Sequence, residues 1–159
     1  MILYLMRHAE AEKVGGEIQT DADRPLTPYG RMQAQAIAAV LQRKTVQPTV
    51  VTSPLRRAVE TGEILCASLG QSSRPPEPLL TSTGHAPNLE LLLKAYPESE
   101  HLLLIGHQPD IGMLVEKIMG FEFGFGTATI VAFESRPPAP WRFLWTHRPE
   151  ELMSPDPKS

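Results

Sequence analysis

Leu5-Met6-Arg7-His8-Ala9-Glu10 is the stretch on which the fold turns. Four apolar residues, Ile2 to Leu5, lead into it and read as a short buried strand. The run stops at an arginine followed by a histidine. In open α/β sheets, ligands bind at the carboxyl ends of the strands. An imidazole beside a guanidinium at such an edge reads as a nucleophile next to an anion clamp. Taken alone, Arg-His after a strand is an ordinary loop end, so the rest of the chain has to decide.

With 159 residues the chain is long enough to bury a real core. One domain over residues 1–147 is expected, followed by a polar, Pro-rich tail at 148–159 that reads as loose. The formal net charge is -3 and there is no long basic run, which argues against a nucleic-acid or anionic-membrane surface. It leaves room for a local basic pocket. Cys66 is the single cysteine, so no internal disulfide can form. The apolar start is too short and lacks the basic leader of a signal peptide. No apolar run approaches the ~20 residues of a membrane span. A reducing, cytoplasmic setting is the expectation.

After the first strand, residues 9–25 are polar and carry Gly15, Gly16, Asp21, Asp23 and Pro25. A loop of that length in a compact domain tends to be functional or disordered. Thr27-Pro28 reads as an N-cap and a first-turn proline. The helix they open runs to about Arg43, with Tyr29, Met32, Ala36, Ile37, Val40 and Leu41 on one stripe. Gly30 in its first turn costs about 1 kcal/mol against alanine, which suggests that something approaches closely there.

Thr49 to Thr52 reads as a second strand, and Ser53-Pro54 again as a cap plus proline. The helix that follows has Leu55, Ala58, Val59, Leu65, Cys66 and Leu69 inward, and Gly70 ends it. Arg56 and Arg57 lie in its first turn, where cations oppose the helix dipole. Either both are solvated, with Arg56 pairing Glu60 one turn on, or the pair helps build an anion site. One arginine inward and one outward is the expectation. Leu79-Leu80 reads as a short edge strand and Ala86 to Tyr96 as a third helix. His101 to Gly106 is the strongest buried-strand signal and runs into His107-Gln108-Pro109. A fourth helix ends at Met119. Residues 127–134 and 141–147 read as strands joined by a Pro-rich turn at 135–140. The alternation implies a three-layer α/β/α sandwich with a mostly parallel central sheet.

The unit strand–turn–proline–helix thus recurs after residues 6, 52 and 106. Arg7 and His8 stand at the first turn, Arg57 at the second and His107 at the third. If the three strands are parallel neighbours, all three turns open at one edge. Such a pocket is cationic and suits a phosphate, whose charge is spread over oxygens that arginine forks match. A zinc site from His8 and His107 would need further ligands, and the arginines would repel the ion. His85, His101 and His147 read as surface or packing residues. Phe121, Phe123 and Phe125 alternate in a way that fits either a half-buried strand edge or a rim loop.

Arg7-His8-Ala9, the segment Ser53 to Thr61 and Gly106-His107 resemble the three signatures of the histidine phosphatase superfamily, also called phosphoglycerate-mutase-like. Arg24-Pro25-Leu26-Thr27-Pro28-Tyr29-Gly30 and the small size resemble its SixA branch of phosphohistidine phosphatases. The resemblance implies that His8 is the nucleophile that becomes phosphorylated. It implies that Arg7 and Arg57 hold the phosphoryl oxygens, that His107 is the second histidine, and that Arg24 adds a phosphate contact. It implies a double displacement with neutral His8 and protonated His107, without metal or cofactor.

The larger relatives carry a catalytic acid on a segment after the second helix, and here residues 71–88 are short. Glu77 and His85 are poor substitutes, while Glu10, Asp21 and Asp23 are the remaining candidates for the acid, each reading first as a solvated loop carboxylate. The missing acid favours phosphohistidine, which leaves as neutral imidazole, over alkyl esters. The expected partner is therefore a phosphorylated protein of the histidine phosphotransfer type. A phosphatase of small phosphorylated metabolites and a non-catalytic phosphate-binding module are the alternatives. A mutase is disfavoured by the lack of a lid.

Overall fold

Alternation along the first strand decides how the layers form. In β1 (Ile2–Arg7) the side chains point by turns to opposite faces. Tyr4 and Met6 enter one buried cluster with Ala34, Ile37, Leu41 and Leu65. Leu3 and Leu5 enter another with Leu80, Leu92, Ile111 and Leu114. A strand that is apolar on both faces needs cover on both, and helices supply it. The computed structural model describes residues 1–136 and 139–153 of the chain.

Helices α1 (Pro28–Arg43) and α2 (Arg56–Leu69) cover the first face. Helices α3 (Leu89–Ala95) and α4 (Asp110–Met119) cover the second. The remaining strands are β2 (Thr49–Thr52), β3 (His101–Gly106), β4 (Ile130–Arg136) and β5 (Ala139–His147). The sheet order is β2-β3-β1-β4-β5. Strands β2, β3 and β1 are parallel, β4 is antiparallel to β1, and β5 is antiparallel to β4. This is the expected α/β/α sandwich, parallel at its centre. The register sets Arg7 opposite Gly106 and Thr52 opposite Ile105, so the three turns do open at one edge.

Local differences from the expectations have local causes. The Thr27 hydroxyl does cap α1, accepting from Gly30 N–H at 2.9 Å. The buried stripe of α1 is rotated from the expected one: Met32 is half exposed, while Gln33 is buried. Gln33 tolerates burial because its amide is fully used. Its Oε1 accepts from Glu10 N–H at 2.8 Å, and its Nε2 donates to Thr127 Oγ1 and Glu150 Oε1.

Ser53 does not cap α2, which begins at Arg56 behind Leu55. Leu79-Leu80 is a 3-10 turn, Pro78–Leu80, because the Glu77 carboxylate accepts from Leu79 N–H. Helix α3 starts at Leu89, where the Asn88 side chain caps it. Strand β4 starts at Ile130, since Ala128 sits at φ 57 and its N–H bonds the His8 carbonyl. Of the expected tail, Pro149 is buried and Glu150 bonds Gln33 of α1. Residues 154–159, and 137–138 of the Pro-rich turn, lie outside the described residues. Among the described residues no helix is long and apolar enough to cross a membrane.

Gly30 explains itself: a Cβ there would collide with the Glu10 carbonyl oxygen. Gly30→Ala is therefore expected to lower stability by about 1–3 kcal/mol, against the gain that helix propensity alone would give. Urea unfolding of the two proteins checks the sign.

Candidate active site

The carboxyl ends of β1, β2 and β3 deliver the cluster. Arg7 is the last residue of β1 and His8 the next. Backbone bonds fix that corner: His8 N–H donates to the Gly106 carbonyl at 3.0 Å, and Ala128 N–H to the His8 carbonyl at 3.0 Å. Ala9 N–H donates to Thr61 Oγ1 at 3.0 Å, and the Thr61 hydroxyl donates to the Arg57 carbonyl at 2.7 Å. Helix α2 is thus pinned to the loop that carries His8.

The His8 ring is oriented by its neighbour. Its Nδ1 lies 2.6 Å from the Ala9 carbonyl, which only accepts, so the Nδ1 proton is fixed there. The lone pair is then on Nε2, toward which Arg57 Nε–H donates at 3.3 Å. Burial pushes the His8 pKa down to about 3; the Ala9 bond opposes this, and His107, Arg57 and Arg7 reinforce it. His8 is a neutral imidazole with its free nitrogen aimed at a guanidinium.

The two arginines of α2 part as expected. Arg57 is buried and Arg56 is exposed, with Arg56 pairing Glu60 at 3.2 Å. Arg7 donates from Nη1 to the Phe125 carbonyl at 3.1 Å. Burial, Arg57 and Arg24 together lower its pKa. The Phe121–Phe125 stretch is therefore a loop, not a strand, and it holds Arg7 in place. Arg24 reaches the cluster by way of its loop, with Nε on the Glu12 carbonyl at 2.6 Å and Nη1 on Asp21 at 3.0 Å.

Asp21 is the residue that sequence reasoning undervalued as a solvated carboxylate. Its Oδ2 lies 3.1 Å from Arg57 Nη2, and its own carbonyl accepts from Arg57 Nη1 at 2.8 Å. It bridges two arginines, and Arg24 foremost holds its carboxyl below the ordinary range. Loop proximity at a distance of 36 residues leaves no sequence signal. Glu10 accepts from the Thr27 hydroxyl at 2.6 Å, and Glu77 from Leu79 N–H and the Tyr96 hydroxyl.

His107 follows β3 and sits with its ring centroid 5.2 Å from that of His8. Its Nε2 is 2.7 Å from Ser53 Oγ. Burial, then Arg57, push its pKa down to about 4. In the ligand-free site, beside these cations, the ring is neutral at pH 7, without the proton expected of His107 beside a bound phosphoryl group. Among the described residues, two buried side-chain polar atoms lack a hydrogen-bond partner, Arg7 Nε and His107 Nδ1. Both belong to this cluster. Buried polar atoms without partners are costly, and an oxyanion would satisfy the Arg7 Nε–H. Among the described residues no group of three or more His, Cys, Asp or Glu side chains gathers to hold a metal ion.

Residues 3–79 match the model of the histidine phosphatase superfamily (branch 1). An uncharacterized protein of Picosynechococcus sp. is 36% identical over 122 residues, covering 74% of this chain and 73% of that protein. The structure of the protein histidine phosphatase SixA complexed with tungstate matches with a TM-score of 0.84 at 28% identity, covering 96% of this chain and 100% of that one. A phosphoserine phosphatase from Entamoeba histolytica, solved with phosphoserine, matches with a TM-score of 0.72 at 18% identity. It covers 96% of this chain and 99% of its own, and at that identity the likeness is one of fold.

The depressed histidines have a consequence for stability. Unfolded, each ring binds a proton below pH ~6.5, whereas the folded rings resist it until about pH 3 and 4. The unfolded state then holds more protons, so stability falls as pH drops through that window. From pH 7 to pH 5 the expected loss is roughly 2 kcal/mol per histidine. Urea titrations at the two pH values measure it, and the loss should largely vanish with both rings replaced by Asn.

Proposed function

The chain belongs to the histidine phosphatase superfamily, and from that premise we propose that it hydrolyses phosphohistidine in a protein through a phosphorylated His8. The observation that carries this reading is the neutral His8 ring, with Nδ1 tied to the Ala9 carbonyl and Nε2 free amid arginines.

In the first step His8 Nε2 attacks phosphorus in line with the bond to the leaving imidazole. That P–N bond breaks, its electron pair stays with the substrate ring, and the ring departs neutral because it entered protonated. Arg7, Arg57 and Arg24 balance charge on the equatorial oxygens, and His107 donates to one of them. The phosphorylated His8 ring becomes cationic, and the Ala9 carbonyl stabilises its Nδ1 proton. In the second step water attacks phosphorus, the P–Nε2 bond breaks, and the pair returns to Nε2. Both water protons leave with the product as H2PO4−, which exchanges one with solvent.

The choice of substrate rests on the carboxylates. Asp21 is held ionised between Arg24 and Arg57, and Glu77 is bound to Leu79 N–H and Tyr96. Neither offers a proton to a departing alkoxide. A protonated phosphoramidate brings its own. The fit to the tungstate-bound SixA structure supports the same choice. The fold shared with a phosphoserine phosphatase supports a second reading, hydrolysis of a small phosphorylated metabolite by the same His8 chemistry.

Turnover of a phosphohistidine peptide and of phosphoserine separates the two. The peptide is expected to be preferred in kcat/KM by about a hundredfold or more, the usual worth of an acid that esters need and that neither Asp21 nor Glu77 supplies. Equal or better cleavage of phosphoserine refutes the substrate. His8→Ala is expected to abolish turnover and the acid-labile phosphoenzyme. Turnover that survives this change refutes the nucleophile, and a wild type that binds phosphate without turning over either substrate leaves only an anion-binding site.

A further inference from the structure

We propose that the Ser53 hydroxyl sets the tautomer of His107, placing its proton on Nδ1 so that the ring donates to a bound oxyanion. The role of that donor rests on the phosphoryl-site reading above, while the tautomer itself does not.

The argument is a count of protons and lone pairs. Ser53 stands at the end of β2, its N–H bonded to the Ile105 carbonyl at 3.0 Å, two residues before His107 on the neighbouring strand. It is fully buried. Pro54 has no N–H, so the first backbone donor within reach of Ser53 Oγ is Leu55, at 3.2 Å. That bond uses one lone pair of the hydroxyl. A hydroxyl also has one proton and a second lone pair. The remaining neighbour is His107 Nε2 at 2.7 Å.

Two arrangements are possible across that contact. If Nε2–H donates to Oγ, the hydroxyl proton is left without an acceptor in a buried place. The other nitrogen, Nδ1, is then a bare lone pair with no protein partner. Such a lone pair repels an oxyanion. If instead Oγ–H donates to Nε2, the hydroxyl gives its proton and accepts from Leu55. The His107 proton then sits on Nδ1, a donor in a pocket of donors, and any oxyanion bound there satisfies it. The second arrangement leaves one group unsatisfied until ligand binds, and the first leaves two. The ring's depressed pKa, about 4, means that it carries a single proton at pH 7, so its position matters. Ser53 acts through His107 and is a positioning residue.

The test is a long-range proton–nitrogen NMR correlation of the histidine rings in the free protein at pH 7, with tungstate as the probe for binding. In the wild type, His107 is expected to show a protonated Nδ1 and a bare Nε2. In Ser53→Ala, Nε2 loses its donor, and the proton is expected to redistribute toward Nε2. Tungstate binding should then weaken about ten- to a hundredfold, the worth of one hydrogen bond to a charged group. A wild-type His107 protonated on Nε2 overturns the proposal whatever the variant does. So does an unchanged tautomer in Ser53→Ala. A shifted tautomer with unchanged tungstate affinity overturns the donor role. Absence of turnover in the wild type refutes the phosphatase reading and leaves the tautomer result standing, so the two failures are distinct.

Discussion

Three guanidinium groups brought to one sheet edge repel one another, and much of the structure is the means of holding them there. Arg7 is anchored through the Phe125 carbonyl, Arg24 through the Glu12 carbonyl, and Arg57 through both the carbonyl and the carboxylate of Asp21. The anchors are mostly backbone oxygens, which offset positive charge without adding a full negative one. Asp21 is the exception, and it sits at the rim with its carboxylate largely exposed. The cluster keeps a strong net attraction for anions as a result.

The same crowding dictates the state of the two histidines. Buried among cations, neither ring can keep a second proton near neutrality. A nucleophilic imidazole has to be neutral, so in the proposed mechanism the field that attracts the phosphoryl group also prepares the group that attacks it. Orientation is left to uncharged partners, the Ala9 carbonyl for His8 and the Ser53 hydroxyl for His107. Each ring is thus fixed by a neighbour that does not change its charge.

Much of the fold could be read before any coordinates. The apolar runs of β1 and β3, the Thr27-Pro28 cap and the glycine after α2 each carry a local physical signature, and each stands where it was expected. The misreadings come from polar groups. Gln33 on the buried face of α1 and the docking of Pro149 with Glu150 both depend on partners distant in sequence, while the 3-10 turn at Pro78–Leu80 follows from a local cap at Glu77 that competes with a strand. Periodicity reports which face is apolar, but not which polar group will find enough hydrogen bonds to be buried.

The site divides along the same line. The sequence alone determined that Arg7, His8 and His107 stand at the ends of strands, because a basic residue that interrupts an apolar run marks its own position, and that Arg57 stands in the first turn of the helix after β2. It also showed that two adjacent arginines on a helix could not both turn inward, and the structure buries Arg57 and leaves Arg56 exposed. Tertiary structure decided that Asp21 joins Arg24 to Arg57, that Ser53 faces His107 instead of capping α2, and that His107 is neutral. Each of these depends on distances between loops or on depth below the surface. Such quantities exist only once β2, β3 and β1 lie side by side.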